Sequence, residues 1–438
     1  MEILIKASQL ILSLSILIVL HELGHFIPAR LFKIKVEKFY LFFNPWFSLF
    51  KIKKGETEYG LGWLPLGGYV KIAGMIDESM DKEQMKQAPQ PWEFRSKPAW
   101  QRLIVMAGGV TVNLILGIFI FIMITWFWGE DRLPAENLKY GVYCDSLALS
   151  LGFEHGDKIL TLEGKKLENF RDLNKHILLH NARKISYERN GNISQITLPD
   201  DIPYKMLESG TKSLFSERFP AEIGFVDSTL PAHIAGIQKG DKIIAINNTP
   251  VSYWDEMSAE IKKHKNQTIN IHCLRNNDTL NIPVKTTEQG TIGIGPKTMK
   301  EIFDIVHDDF SLVQSIPHGI KSGFGFLADQ AKSMKFLFSS SGAKQMGGFG
   351  TFGSMFSPIW DWHSFWFLTA VISIILAFMN ILPIPALDGG HIMFLLWEMI
   401  TGKAPSQRFM EIAQTVGMII LLGLILFANI NDIRKFFF

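Results

Sequence analysis

Three side chains at the end of an apolar run can do chemistry together. In residues 11–25, ILSLSILIVLHELGH, His21, Glu22 and His25 close a stretch that reads as the second half of a membrane-spanning helix. Residues four apart share a helix face, so His21 and His25 point two imidazoles at one place. With a glutamate between them this is the HExxH arrangement, two metal ligands and a base. Each ionisable side chain deep in a bilayer costs about 2.5–3.5 kcal/mol, so such a set does not persist there without a role. The alternative is two neutral histidines bonded to neighbouring helices, with Glu22 snorkelling to the surface. A second stretch, residues 380–390, reads NILPIPALDGG. Pro383 and Pro385 remove backbone donors and break a helix. Non-helical backbone at membrane depth is tolerated only where protein or a wet cavity covers it. Asp388 therefore falls in a protected, irregular place, and Gly389 and Gly390 allow close backbone approach. Here the alternative is a proline-kinked helix with a turn at Asp388-Gly389.

These groups are carried by four apolar blocks, 7–28, 103–128, 364–399 (broken in the middle) and 411–428. Lengths near twenty suit a hydrocarbon core of roughly 30 Å. Residues 29–102 carry a dense set of Lys and Arg, from Arg30 to Lys97, which argues for a cytoplasmic loop. The N-terminus, residues 129–363 and the C-terminus are then outside. On that topology Asp388 lies near the cytoplasmic side, at the depth of His21 and His25. The first block is read as retained and not as a signal peptide, because no small-x-small cleavage site follows it.

The 438 residues are 47% hydrophobic and 20% charged, with a mean hydropathy of +0.15, which suits a chain that is part membrane and part soluble. A net charge of +2 carries no polyanion signal, so nucleic acid is excluded as a partner class. Cys144 and Cys273 have no metal-binding spacing and read as buried thiols, with a mutual disulfide as the alternative. In the cytoplasmic loop, 36–53 and 58–73 read as strands, with Gly60, Gly62, Gly67 and Gly68 marking turns or bulges. A hairpin there offers an open edge to an extended peptide, or only braces the helices. Residues 77–99 read as a polar surface segment.

Residues 136–305 contain a repeat. GFEHGDKI at 152–159 returns as GIQKGDKI at 236–243, each followed by a strand, a helical stretch and a hairpin signal, at Asn190-Gly191 and Asn276-Asn277. The spacing suits two small domains and not a solenoid. The G-x-x-x-G-D-x-I element resembles tandem PDZ modules of the bacterial type. Such modules add an extended peptide to a sheet edge and often hold its C-terminal carboxylate, or here only fill space or gate access. Between 306 and 362, Phe324-Gly325-Phe326 and Phe336-Leu337-Phe338 suggest amphipathic elements at the membrane surface, and Trp360, Trp362 and Trp366 an interfacial belt.

Taken together, HELGH in a first span, PLGGYVK at 65–71, the tandem repeat, KPAWQR at 97–102 and NxxPxPxLDGG in a late span resemble the site-2 protease family of intramembrane zinc metalloproteases. Two departures are present. Gly108-Gly109-Val110-Thr111-Val112-Asn113 stands where that family has Ala-Gly-Pro-x-x-Asn, and Gly347-Gly348-Phe349 where it has a Gly-Pro pair. The resemblance implies a multi-pass α-helical membrane protein with four transmembrane segments, a small membrane-associated β-hairpin or sheet and two inserted extracytoplasmic PDZ domains. The divisions are 1–128, 129–220, 221–305, 306–362 and 363–438. It implies one Zn2+ per chain held by His21, His25 and Asp388, with Glu22 as general base. Asn380 and Asn113 would hold the substrate backbone or oxyanion, and the edge at 60–71, with Pro383 and Pro385 nearby, the unwound strand. Substrates would be single-span membrane proteins within the bilayer, and peptide C-termini would be ligands of the PDZ grooves. Two rivals remain. One is an HExxH protease of soluble loops, with Glu37 or Glu56 as third ligand. The other is a PDZ scaffold with an inactive metal site.

Overall fold

Long apolar runs without internal breakers become long helices, and those of this chain assemble around glycine. The computed structural model describes residues 1–65, 67–75, 88–211, 213–337 and 339–437. It divides into two units, Met1–Gly129 with Asp309–Phe438, and Glu130–Asp308. The first unit holds α1 (Glu2–Leu31), α2 (Ala99–Trp128), α3 (Leu312–Leu337), α4 (Phe349–Met355), α5 (Trp362–Ile381), α6 (Asp388–Thr401) and α7 (Gln407–Phe437). Four helices are long and apolar enough to cross a membrane: α1, α2, α5 and α7.

Backbones touch where α1 meets α2. A Cβ added to Gly24 would lie 2.5 Å from the Gly108 carbonyl oxygen, and one added to Gly108 only 1.9 Å from that of Gly24. Small residues permit this approach between helices in an apolar medium, where packing and hydrogen bonds drive association. The same logic continues with α5. Ile374 packs where a Gly117 side chain would be, Ser373 donates to the Asn113 carbonyl at 2.7 Å, and Thr369 donates to Ser13 at 3.0 Å.

Two sequence expectations change here. The amphipathic elements expected around Phe324 and Phe336 are one helix, α3, packed along α2. Ser315, Gly319 and Gly323, four residues apart, form its contact stripe, and a Cβ on Gly319 would meet Ile122 at 2.5 Å. Phe338 lies outside the described residues. Trp366 packs into the helix core, while Trp360 and Trp362 are 42% and 51% exposed. The third block is two helices, because Pro383 and Pro385 end α5 and a new helix, α6, begins at Asp388.

The two strands expected at 36–53 and 58–73 are four: β1 (Val36–Leu41), β2 (Phe50–Lys54), β3 (Thr57–Leu61) and β4 (Tyr69–Ile72). Their order is β2-β3-β1-β4, with β1 and β3 parallel. Phe42 and Trp46, at φ 67° and 70°, turn the chain out of the first strand. Gly60 is no turn residue. It sits inside β3, where a Cβ would strike the Tyr40 ring at 2.3 Å. Among the described residues the sheet edges are β2 and β4, so the edge expected at Gly60 is an interior strand. Residues 76–87, within the expected surface segment 77–99, lie outside the described residues.

The second unit contains two modules of like construction. Each has a four-stranded sheet in which a hairpin, Lys184–Arg189 with Asn192–Thr197 or Thr268–Arg275 with Asp278–Lys285, pairs with the strand after the Gly-Asp element. Both hairpins turn on two residues of positive φ, Asn190-Gly191 and Asn276-Asn277, the type I′ geometry that matches strand twist. The Gly-Asp element has a physical purpose. Asp157 and Asp241, each 1% exposed, accept two bonds of 2.7 Å from Arg189 and Arg275 and a third from the amides of Glu154 and Gln238, 2.9 Å each. Each arginine also donates to the carbonyl of the element's first glycine, Gly152 or Gly236, at 2.9 and 2.8 Å. Cys144 and Cys273 are buried free thiols in separate cores, so the disulfide alternative falls. Burial pushes the Cys144 thiol up to about 12.

Replacing Asp157 by Ala leaves a half-buried arginine and the Glu154 amide without their acceptor. The opening free energy of the first module, read by native-state hydrogen exchange in the 158–162 strand, is expected to fall by roughly 2–3 kcal/mol. Exchange in 268–285 should be unchanged.

Candidate metal centre and active site

The centre is built by α1, α2 and the start of α6. One face of α1 carries His21 and His25, and α2 fixes their rings from behind. His25 Nδ1 lies 2.8 Å from the Val105 carbonyl oxygen. A carbonyl only accepts, so the proton is on Nδ1 and the neutral ring's Nε2 lone pair is bare. Asn113, 1% exposed, places its carboxamide 3.3 Å from His21 Nδ1. With Nδ2 on the histidine, Asn113 Oδ1 is buried without a partner. Exchanging the two ends of the amide, which have the same shape, lets Oδ1 accept from Nδ1–H. Both Nε2 lone pairs then face one point.

Asp388 faces the same point. Its Oδ2 is 3.4 Å from Nε2 of His21 and 3.4 Å from Nε2 of His25, and the two Nε2 atoms are 3.2 Å apart. Oδ2 is buried and makes no hydrogen bond. Three electron-pair donors so close repel unless a cation lies among them. A tetrahedral ion with bonds of about 2.0–2.1 Å holds its ligand atoms about 3.3–3.4 Å apart, so the spacing fits zinc. His21, His25 and Asp388 are the group able to hold a metal ion among the described residues.

The loop before α6 is held by close packing. Ala386 has a φ of 107°, a strained value that neighbours must enforce. A Cβ on Gly389 would meet the Leu382 carbonyl oxygen at 2.2 Å, one on Gly390 the Pro385 Cα at 2.6 Å, and one on Gly417 of α7 the Pro385 oxygen at 1.6 Å. Arg102 of α2 pairs with Glu398 of α6, joining the helix that orients His25 to the helix that carries Asp388.

Glu22 does not snorkel. It is 9% exposed, with its carboxylate beside the Val70 backbone of β4. Gly68 brings that strand close, since a Cβ there would lie 2.6 Å from Ile18 and 3.5 Å from Glu22 Cγ. Gly62 and Gly67 shape the preceding loop against Phe43. Glu37 pairs with Lys71 at 3.4 Å and Glu56 with Arg30 at 3.6 Å, so the glutamates of the rival ligand set are engaged elsewhere.

The model of peptidase family M50 matches residues 9–424 of this sequence. The chain belongs to peptidase family M50. It is similar to the Regulator of sigma E protease of Haemophilus influenzae, 28% identical over 99% of this chain and 100% of that one. It is also similar to Metalloprotease MmpA of Caulobacter vibrioides, 24% identical over 99% and 96%. Other relatives carry zinc metalloprotease in their names. This M50 chain is a zinc metalloprotease of the membrane, with zinc as its cofactor.

Within this M50 site the structure brings together His21, Glu22, His25 and Asp388. Asn113 stands behind His21 and not toward open space, contrary to the expectation of a substrate contact. Asn380 lies in the last turn of α5, half-buried, and Pro383 and Pro385 lie in the loop before Asp388. Sequence reasoning missed Val105, whose carbonyl leaves no trace in residue type, and Gly109. A Cβ on Gly109 would lie 2.4 Å from His25 Nε2 and 2.6 Å from His21 Cε1. The glycine pair at 108–109, read as a departure from the family pattern, has one member against Gly24 and one beneath the imidazoles. Its missing proline leaves α2 continuous through this region.

Gly109→Ala is expected to lower zinc affinity by at least about tenfold, within the range found for groups supporting metal ligands. Bound zinc per chain measures this. Gly423→Ala in α7, where a Cβ meets nothing within 4 Å, is the control and should retain its metal.

Proposed function

We propose that this zinc protease is an endopeptidase that cuts membrane-spanning segments of single-span proteins inside the bilayer, with His21, His25 and Asp388 as ligands and Glu22 as base. The observation that carries the reading is the convergence of three lone pairs at 3.2–3.4 Å with a buried glutamate beside them. Bound zinc supplies Lewis acidity, polarising the scissile carbonyl and acidifying water near neutral pH. Glu22 takes the water proton on its carboxylate and returns it to the departing amine. Asn113 and the Val105 carbonyl hold the two imidazoles in one tautomer and orientation.

A spanning helix hides its amides in i to i−4 bonds and must unwind before attack. Among the described residues β4 is an edge strand of the sheet and runs past Glu22, so a segment paired with it would lie adjacent to the base. Pro383, Pro385 and Asn380 would contact that segment from the Asp388 side. The chain sits in a bacterial inner membrane, with the active site near the cytoplasmic face and residues 130–308 outside, as the Lys and Arg of 29–102 argue. The two modules of 130–308 are PDZ domains that restrict entry to substrates already trimmed on the outer side. The resemblance to the site-2 protease family makes an anti-sigma factor the first substrate to try, with remnant signal peptides second.

Purified protein incubated with a helix-destabilised single-span peptide is expected to cut within the span, and a zinc chelator should stop it. Cutting confined to flanking soluble residues would reject the reading. Glu22→Gln should retain zinc and lose roughly 10²–10⁴-fold in cleavage rate. Asp388→Ala should lose zinc itself, and unchanged metal content would assign the third ligand elsewhere.

A further inference from the structure

Asp388 is the one ligand of the centre that α1 does not carry, so its reach depends on where α6 lies along its neighbours. The loop before α6 does not decide this. Its turns close on themselves through Leu382, Ile384 and Leu387, and its close contacts at glycine are with the end of α5 and with Gly417 of α7. Packing decides little more. Of the 14 residues of α6, Gly389, Gly390 and Leu395 are buried, while Leu396, Trp397, Met399 and Ile400 are exposed. Lipid tails are as apolar as leucine, so in a bilayer one apolar face slides along another at little cost.

α2 supplies a contact with a preferred position. Arg102 Nε donates to the Lys97 carbonyl at 2.9 Å, which aims the guanidinium, and Nη2 donates to Glu398 Oε1. Both side chains are largely shielded from solvent. Apart from Asp388, Glu398 is the one carboxylate of α6. The two helices run antiparallel from this point. Three residues forward on α2 and three back on α6, Val105 and Leu395 share one apolar cluster. Ten residues forward and ten back, the positions reached are Val112 and Asp388. Val112 lies between Gly109 and Asn113, the residues behind the imidazoles, so this register delivers Asp388 to His21 and His25. A slip of one helical turn would carry its carboxylate about 5.4 Å away, against metal–ligand bonds of about 2 Å. Fixing a register is the best-attested use of a shielded ionic contact.

We propose that Arg102 and Glu398 are positioning residues: their pair locks α6 to one register on α2 and so holds the Asp388 carboxylate at the metal. This rests on reading His21, His25 and Asp388 as the ligand set.

The test uses the full chain in detergent. Zinc affinity is measured by competition against a chromophoric chelator, and the visible spectrum is recorded with Co2+ in place of zinc. Cobalt held by four donors absorbs strongly, and a site that loses a protein ligand to several waters absorbs weakly. Glu398→Gln and Arg102→Gln should each lower zinc affinity roughly 10–100-fold, as for groups that orient metal ligands, and weaken the cobalt bands. The double variant should lose no more than the worse single, because all three remove the same tie. Lys403→Gln, an exposed charge beyond the end of α6, should change neither reading, and a like loss there would reduce the effect to net charge and sink the proposal. Wild-type affinity and bands in folded Glu398→Gln, or losses that add in the double, would overturn it. Should the singles fail to fold, the double, which leaves no charge unpaired, carries the test, and wild-type affinity there would reject the lock. Asp388→Ala separates the two readings. If it retains zinc, the ligand set is wrong; if it loses zinc while Glu398→Gln does not, the register lock alone is wrong.

Discussion

Everything at the metal centre depends on two helix backbones lying in contact at Gly24 and Gly108. That contact sets how far the face of α1 bearing His21 and His25 stands from α2. Only at this separation do the Val105 carbonyl and the Asn113 carboxamide reach the outer ring nitrogens, at 2.8 and 3.3 Å. Gly109 then leaves room for the rings themselves. In water, a wider gap between helices could be filled by solvent bonding to each ring. In hydrocarbon nothing else satisfies those nitrogens, so spacing and tautomer are one constraint.

The same constraint explains why Asp388 comes from a helix start. Within a continuous spanning helix, a carboxylate pointing at two imidazoles would need its own helix as close to α1 as α2 is. Breaking the chain at Pro383 and Pro385 lets a loop bring Asp388 in, while its backbone bonds are recovered locally through turns at Leu382, Ile384 and Leu387. Glycines at 389, 390 and 417 remove the side chains that would hold this loop off α6 and α7. The Arg102–Glu398 pair adds a charged tie between α2 and α6 that is largely shielded from solvent, where a broken pair would be costly.

Much of the site was legible because it is written in residue types that an apolar run does not otherwise contain. His21, Glu22, His25 and Asp388 stand out against leucine and isoleucine, and charge counting alone assigns them a common depth. What supports them is written in glycine and main chain, which carry no chemical label. Gly109 looks like any small residue until the rings above it are known. The sheet was misread for a different reason. Alternation finds strands, but the parallel pairing of β1 with β3 and the positive φ of Phe42 and Trp46 arise from long-range contacts. The stripe Ser315, Gly319, Gly323 in α3 did hold a usable signal, a four-residue period of small side chains, hidden by the more conspicuous Phe324 and Phe326.

The second unit shows how little of a module's behaviour follows from its motif. The Gly-Asp element repeats because a buried aspartate must satisfy an arginine and a backbone amide in both copies, and those bonds agree within about 0.1 Å. That is a folding requirement, and it is shared. The edge beside the helix is under no such requirement, since an outward N–H and C=O can be met by water, by a peptide or by a side chain. There the copies diverge: Asn174 bonds the Leu214 and Phe215 backbone in the first, and among the described residues no side chain bonds the Ile294 backbone in the second. Two modules with one architecture can therefore present different surfaces, and the difference resides in a residue that the repeat itself does not mark.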